Sequence, residues 1–314
     1  MKKKLVFGSI VVILAIIFGP VVFTQVAAAE ERTYQRVYLA DVEYSEVSFR
    51  NETQDLDLAG MLFVPDGDGP FPAVVIIHGS KASRRDSNWY LTLSSYMQKN
   101  GVAVLLPDKR GCEKSEGDWY RSSLEDLATD TLAAIDFMKS QEIVEVSQLG
   151  IIGMSQGGVI APVVASQSSD LDFVINMVGH SVTMHEQLIH DENFVAREMG
   201  LLPGISNMYS YVATFVYENF TAKEWWEAVG NFTPLPYWQK VNIPALVLLG
   251  SEDHNVPSEE SKARIEALDK DNIRVIMYEG SGHGLEDPPG TGDHYIRQEA
   301  LSDMLNFILT AVKR

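Results

Sequence analysis

Two hydrophobic periods alternate along this chain. Residues 42–64 alternate apolar and polar positions on either side of NETQD, the pattern of a β-hairpin. Continuous apolar runs of strand length follow at 73–77, 102–106 and 173–178, with a further run ending in the glycines of Gly150-Ile151-Ile152-Gly153. Between them lie stretches of helical period. Residues 89–100 suit a helix that Gly101 is placed to cap, and in 123–140 Leu124, Leu127, Thr131, Ile135 and Met138 share one face. After residue 238 the alternation returns, as strand at 245–249, helix at 258–269, strand at 273–278 and a closing helix at 295–312.

Strands that are apolar throughout are buried on both faces, and their alternation with helices implies a mostly parallel sheet. The predicted fold class is therefore α/β, with eight strands, helices on both faces and the leading hairpin antiparallel at one edge. Residues 181–238 interrupt the order. They are helical in character and rich in Met and aromatic residues, and they are predicted to form a helical cap, its Met and aromatic side chains packed underneath against the sheet. The main domain is then 30–180 together with 239–314.

The N-terminus has a different character. Lys2, Lys3 and Lys4 precede an apolar run over 5–23, and Ala27 and Ala29 form an A-x-A site, so residues 1–29 read as a signal peptide cleaved before Glu30. The run nearly matches the length of a bilayer span, and a retained N-terminal anchor is the alternative. Either reading exports the rest of the chain to a secreted, periplasmic or outer-face location. A net charge of −18 and the lack of a basic patch argue against a nucleic-acid partner. One cysteine, Cys112, permits no internal disulfide.

Candidate chemistry sits where the predicted strands end. Gly153-Met154-Ser155-Gln156-Gly157 is G-x-S-x-G between a strand and a helix, a turn that projects the serine hydroxyl in front of a helix N-terminus. A serine hydroxyl needs a base to take its proton, and the base needs a carboxylate to hold it. Asp253, in LLGSEDHNVP, and His283, in GSGHG, follow later strand ends and complete the chain order Ser, Asp, His. Glu252, Glu286 and Asp287 are the competing carboxylates. The backbone N–H of Gln156 and that of Ser80, in the loop after the third strand, are the expected oxyanion donors. His78, His180 and Met184 are candidate pocket residues. His180, His185 and His190 recur every five residues, which turns successive side chains by roughly 140° on a helix, so no metal site is expected.

With these pieces in place the chain resembles secreted bacterial α/β-hydrolase-fold esterases of the dienelactone-hydrolase-like and prolyl-oligopeptidase-like branches. The resemblance rests on LAGMLFVP, GPFPAVVIIHGS, LLPDKRGCEKSEGDW, IIGMSQGG, LLGSEDHNVP and GSGHG, and covers about 45–180 and 240–312. It implies hydrolysis of carboxylic esters through an acyl-enzyme, without metal or organic cofactor. Two departures stand out. Lys81 occupies a position where related esterases often have glycine, and 181–238 matches no named pattern. The expected substrate is a small ester with an apolar acyl or aryl group, suited to a Met- and aromatic-rich cap. Alternatives with the same triad are a peptidase, disfavoured here because the chain has no room for a propeller domain, and an acyltransferase or thioesterase. A non-catalytic binding member of the fold is the alternative of a different class.

Overall fold

The computed structural model describes residues 37–286 and 296–311, and these belong to one compact unit, Arg36–Arg314. The predicted signal peptide or anchor at 1–29 lies outside the described residues. Among the described residues, no helix is long and apolar enough to cross a membrane.

The apolar runs become one eight-stranded sheet. In spatial order it is built from β1 (Ser45–Asn51), β2 (Leu56–Phe63), β4 (Ala103–Pro107), β3 (Phe71–Ile77), β5 (Val144–Met154), β6 (Phe173–Met177), β7 (Ala245–Gly250) and β8 (Ile273–Tyr278). The hairpin β1–β2 and its seam with β4 are antiparallel, and every pairing from β4 to β8 is parallel. Side-chain alternation divides each strand between two cores: Ala73, Val75 and Ile77 of β3 enter one, Val74 and Ile76 the other. Helices α2 (Leu124–Lys139), α3 (Gln156–Gln167) and α8 (Ser258–Glu266) cover the first face. Helices α1 (Asn88–Lys99) and α9 (Gln298–Thr310) cover the second.

Helix α2 shows how sequence sets these positions. Ser123 and Asp126 form a reciprocal capping box at its start, and Leu124, Leu127, Thr131, Ile135 and Met138 are all buried, as their spacing predicts. Burial contributes roughly 1.5–3 kcal/mol for each large apolar side chain, more than the cap or the propensities, so this stripe decides how the helix lies. Gly101, at φ +82°, ends α1 as expected. Strand β5 starts earlier than its apolar run suggests. The register shifts between Phe71 and Ala73 of β3, and the polar stretch before Leu149 takes up the irregularity.

Residues 181–238 are helical, as expected, but they turn much of their apolar surface the other way. Their helices are α4 (Met184–Glu198), α5 (Pro203–Val216), a π-turn at Tyr217–Thr221, α6 (Lys223–Val229) and α7 (Leu235–Trp238). Trp225 and Trp226 pack partly buried against the core and Trp238 is fully enclosed. Met199, Met208, Tyr211, Phe215 and Phe220, predicted to line the underside, face outward instead. The reason lies in α5: its buried stripe is Ser206, Ser210 and Thr214, one turn apart, whose small side chains let it approach α4 closely.

Candidate active site

Ser155 stands between the last residue of β5 and the first of α3, at φ 56° and ψ −120°. That backbone conformation costs an L-residue on the order of 1–3 kcal/mol. It persists because both flanking elements are pinned, and because the Ser155 N–H donates to Met177 O of β6 at 2.9 Å. The turn points Oγ out of the sheet in front of α3, whose N-terminal end carries a partial positive charge.

The other two groups arrive from β7 and β8. Asp253 follows β7 by three residues; its carboxylate is fully enclosed, and Oδ1 accepts the N–H groups of Asn255 and Val256, both at 2.9 Å. Those two bonds leave Oδ2 to accept His283 Nδ1–H at 2.8 Å. His283 Nε2 in turn lies 2.9 Å from Ser155 Oγ, placed to accept its proton. The loop bearing His283 reaches this position by crossing directly over the end of β7. A Cβ on Gly250 would sit 2.4 Å from Ser281 O, so only glycine admits the crossing. Trp89 of α1 secures the far side, donating Nε1–H to Gly284 O at 3.3 Å. Asp253, and not the neighbouring Glu252, is therefore the carboxylate on the histidine.

The loop after β3 faces Ser155 from the other side. The N–H of Gly79 is already committed to Tyr90 Oη at 2.8 Å, and Ser80, the next residue, is exposed. Beneath this loop lies a residue that sequence reasoning missed. Lys109, at the end of β4, is buried and donates through Nζ to Gly79 O at 2.7 Å, Lys81 O at 3.4 Å and Gln156 Oε1 at 3.3 Å, while sitting over the Trp119 ring. One ammonium thus ties the loop of Ser80 to Gln156, the residue after the serine. These partners are neutral, and burial pushes the amine down from its ordinary 10.5 to about 7.

A stability prediction follows, with a definite sign. Between about pH 7 and 10.5 the unfolded chain holds a proton on Lys109 that the folded chain lacks, so folding becomes more favourable as pH rises through that window. Wild-type stability should climb relative to Lys109→Met by up to about 1.4 kcal/mol per pH unit. Urea unfolding of both proteins at pH 7 and 9 measures this. Equal slopes would show that the amine keeps its ordinary affinity for protons.

The candidate pocket residues fare differently. His78 is buried with Nε2 bonded to Pro107 O at 2.6 Å and its ring edge-on to Tyr90, so it braces the loop from behind. His180 is buried near His283, with Nδ1 bonded to Val182 O at 2.9 Å. Burial depresses both imidazoles to about 4, which keeps them neutral near pH 7. Met184 belongs to the core, among the buried side chains that include Val159 and Val256. Of the three spaced histidines, His190 approaches the site: its Nε2 donates to the backbone oxygen of Asp253 at 3.2 Å, while His185 pairs with Glu218. Asp191, on the same helix, bonds Asn255, and burial raises its carboxyl above the ordinary value.

A parallel sheet with an antiparallel edge, a serine at a strained strand–helix turn, and histidine and aspartate delivered by the last two strands define a serine hydrolase of the α/β-hydrolase fold. The pattern that describes the prolyl oligopeptidase family matches residues 89–314, and the chain belongs to that family. It is similar to Esterase EstD from Thermotoga maritima, at 21% identity over 240 residues, covering 72% of this chain and 57% of that protein. It is also similar to Dipeptidyl peptidase family member 6 from Caenorhabditis elegans, at 24% identity over 255 residues, 74% of this chain and 32% of that one. The chain thus spans little more than half of the first relative and a third of the second. Among solved structures, the Pyrococcus furiosus esterase PF2001 superposes with a TM-score of 0.63 at 19% identity, covering 90% of this chain and 96% of that one, a likeness of fold.

Proposed function

We propose that the protein hydrolyses carboxylic esters through an acyl-enzyme intermediate. The observation that carries this reading is the unbroken relay from Asp253 through His283 to Ser155, with hydrogen bonds of 2.8 and 2.9 Å and a strained turn holding the serine forward. Ser155 Oγ attacks the ester carbonyl as His283 Nε2 takes its proton. Asp253 holds the ring and stabilises its positive charge, and His283 then returns the proton to the leaving alcohol. Water, activated by the same histidine, releases the acid. Gln156 N–H and Ser80 N–H receive the developing oxyanion; the latter is favoured over Gly79 because Tyr90 already occupies the Gly79 N–H.

An ester substrate is supported by the similarity to a Thermotoga esterase, and the dipeptidyl peptidase relative makes peptide amides the reading to test against it. Export, with the N-terminal segment cleaved or retained, belongs to the same proposal and rests on Lys2, Lys3, Lys4 and the apolar run behind them.

Two assays decide. Purified protein is given p-nitrophenyl esters from acetate to palmitate beside peptidyl p-nitroanilides, and a fluorophosphonate label is located by mass spectrometry. Label on Ser155 with ester turnover at least a hundredfold above anilide turnover is the expected result. Label on Ser155 with anilide turnover dominant would replace the esterase reading by a peptidase. No label would mean that the relay does not activate the serine.

A further inference from the structure

Helix α5 is inside out for a soluble protein. A surface helix ordinarily turns its apolar stripe to the core and its polar stripe to water. Here Ser206, Ser210 and Thr214 are wholly buried against α4, with Ser206 Oγ donating to Pro203 O. Leu202, Ile205, Met208, Val212 and Phe215, three or four residues apart, form the solvent face, and Phe220 extends it through the π-turn. Met208 is 65%, Phe215 57% and Phe220 71% exposed. No Asp, Glu, Lys or Arg occurs anywhere in 200–217. Apolar patches of this kind on a folded protein mark a surface that is covered when the protein works.

The position of the patch identifies what covers it. The α4–α5 hairpin sits at the carboxyl end of the sheet: His190 of α4 bonds Asp253 O, and the Phe194 ring stacks on His254 at 4.5 Å. The first described residue, Val37, enters the fold at that same end, accepting Asn88 Nδ2–H at 2.7 Å beside Trp89, the residue bonded to Gly284. The apolar run behind Lys2, Lys3 and Lys4 ends at Phe23, and residues 24–36 between it and Val37 reach at most roughly 45 Å. A chain held to a bilayer by that run therefore has its catalytic end, and α5 with it, within reach of the same bilayer. Two copies meeting face to face would instead bring together chains of net charge −18, which repel.

We propose that the outer face of α5, with Phe220, rests on the surface of the lipid bilayer, its apolar side chains inserted among the acyl-chain ends of the headgroup region. The contact is apolar and owes nothing to anionic lipid, since 200–217 carries no basic residue and the chain's net charge is −18.

The test uses the full-length chain reconstituted in phosphatidylcholine vesicles. In a Cys112→Ser background, single cysteines replace Met208, Phe215 or, as a control, Lys99, which is exposed at the far end of α1. Each carries an environment-sensitive fluorophore, and nitroxide-bearing phosphatidylcholine is the quencher. The labels at 208 and 215 should shift to the blue and lose more than half their emission to the lipid quencher, while the label at 99 does neither. Labels at 208 and 215 as wet as that at 99 would overturn the proposal. So would protection that appears without lipid and grows with protein concentration alongside a dimer in sedimentation, because the face would then belong to a second copy.

Discussion

Replacing Ser155 by Ala is expected to lower kcat on a p-nitrophenyl ester by about a millionfold, because nucleophile and base act as one unit and removing either removes the acyl-enzyme route. The fold should survive. Alanine carries the same Cβ as serine, and the turn is held by the backbone bonds to Met177 O and from Gly158 and Val159, none of which uses the hydroxyl. A second variant separates chemistry from scaffold. Ser155→Gly loses the same hydroxyl but also relieves the positive φ of 56°, so it should be equally inactive and more stable by about 1 kcal/mol. Steady-state kinetics and thermal unfolding on the three proteins check both halves. Turnover by Ser155→Ala within a hundredfold of wild type would show that the relay is not the catalytic centre. A glycine variant less stable than wild type would show that the serine Cβ or hydroxyl is needed by the turn.

Much of this site was legible because its parts carry local signals. Ser155 announces itself through glycines that serve only a sharp strand–helix turn, and Asp253 and His283 each follow an apolar run that could only be a buried strand. Three strand ends of a parallel sheet converge on one edge, so the residues placed there meet without any further information about distance. Lys109 gave no such signal. Its role comes from Gly79, Lys81, Trp119 and Gln156, which reach it from separate stretches of chain, and in sequence it is one lysine in a charged loop. Tyr90 is hidden for the same reason: a helical tyrosine shows nothing of the Gly79 N–H that it engages. The helices of 181–238 are a different case. Periodicity says which residues share a face of α5 but not which way that face points. Hydrophobicity alone puts the apolar stripe inward, whereas the small residues Ser206, Ser210 and Thr214 decide the packing.

Gly157→Ala is expected to abolish the folded protein, although helix propensity alone favours Ala by about 1 kcal/mol at a helical position. The new methyl would lie 2.1 Å from Ile77 O and 2.6 Å from Ile77 C, and both are backbone atoms of β3, a central strand of the sheet. No rotamer relieves a clash between a Cβ and a carbonyl group. Either α3 lifts from the sheet or the end of β3 moves, and each displaces a neighbour of Ser155: the first its oxyanion-side helix, the second the loop of Gly79 and Ser80. Loss of more than about 4 kcal/mol, the scale reserved for severe core overpacking, exceeds much of a domain's net stability. Gly204→Ala is the matched control. It lies in α5 with open space around its Cβ position, and should raise stability by about 0.5–1 kcal/mol. Circular dichroism melts of the two variants read the contrast directly. A Gly157→Ala protein that melts with the wild type would mean that α3 and β3 are not in the contact described, and the turn holding Ser155 would need another explanation.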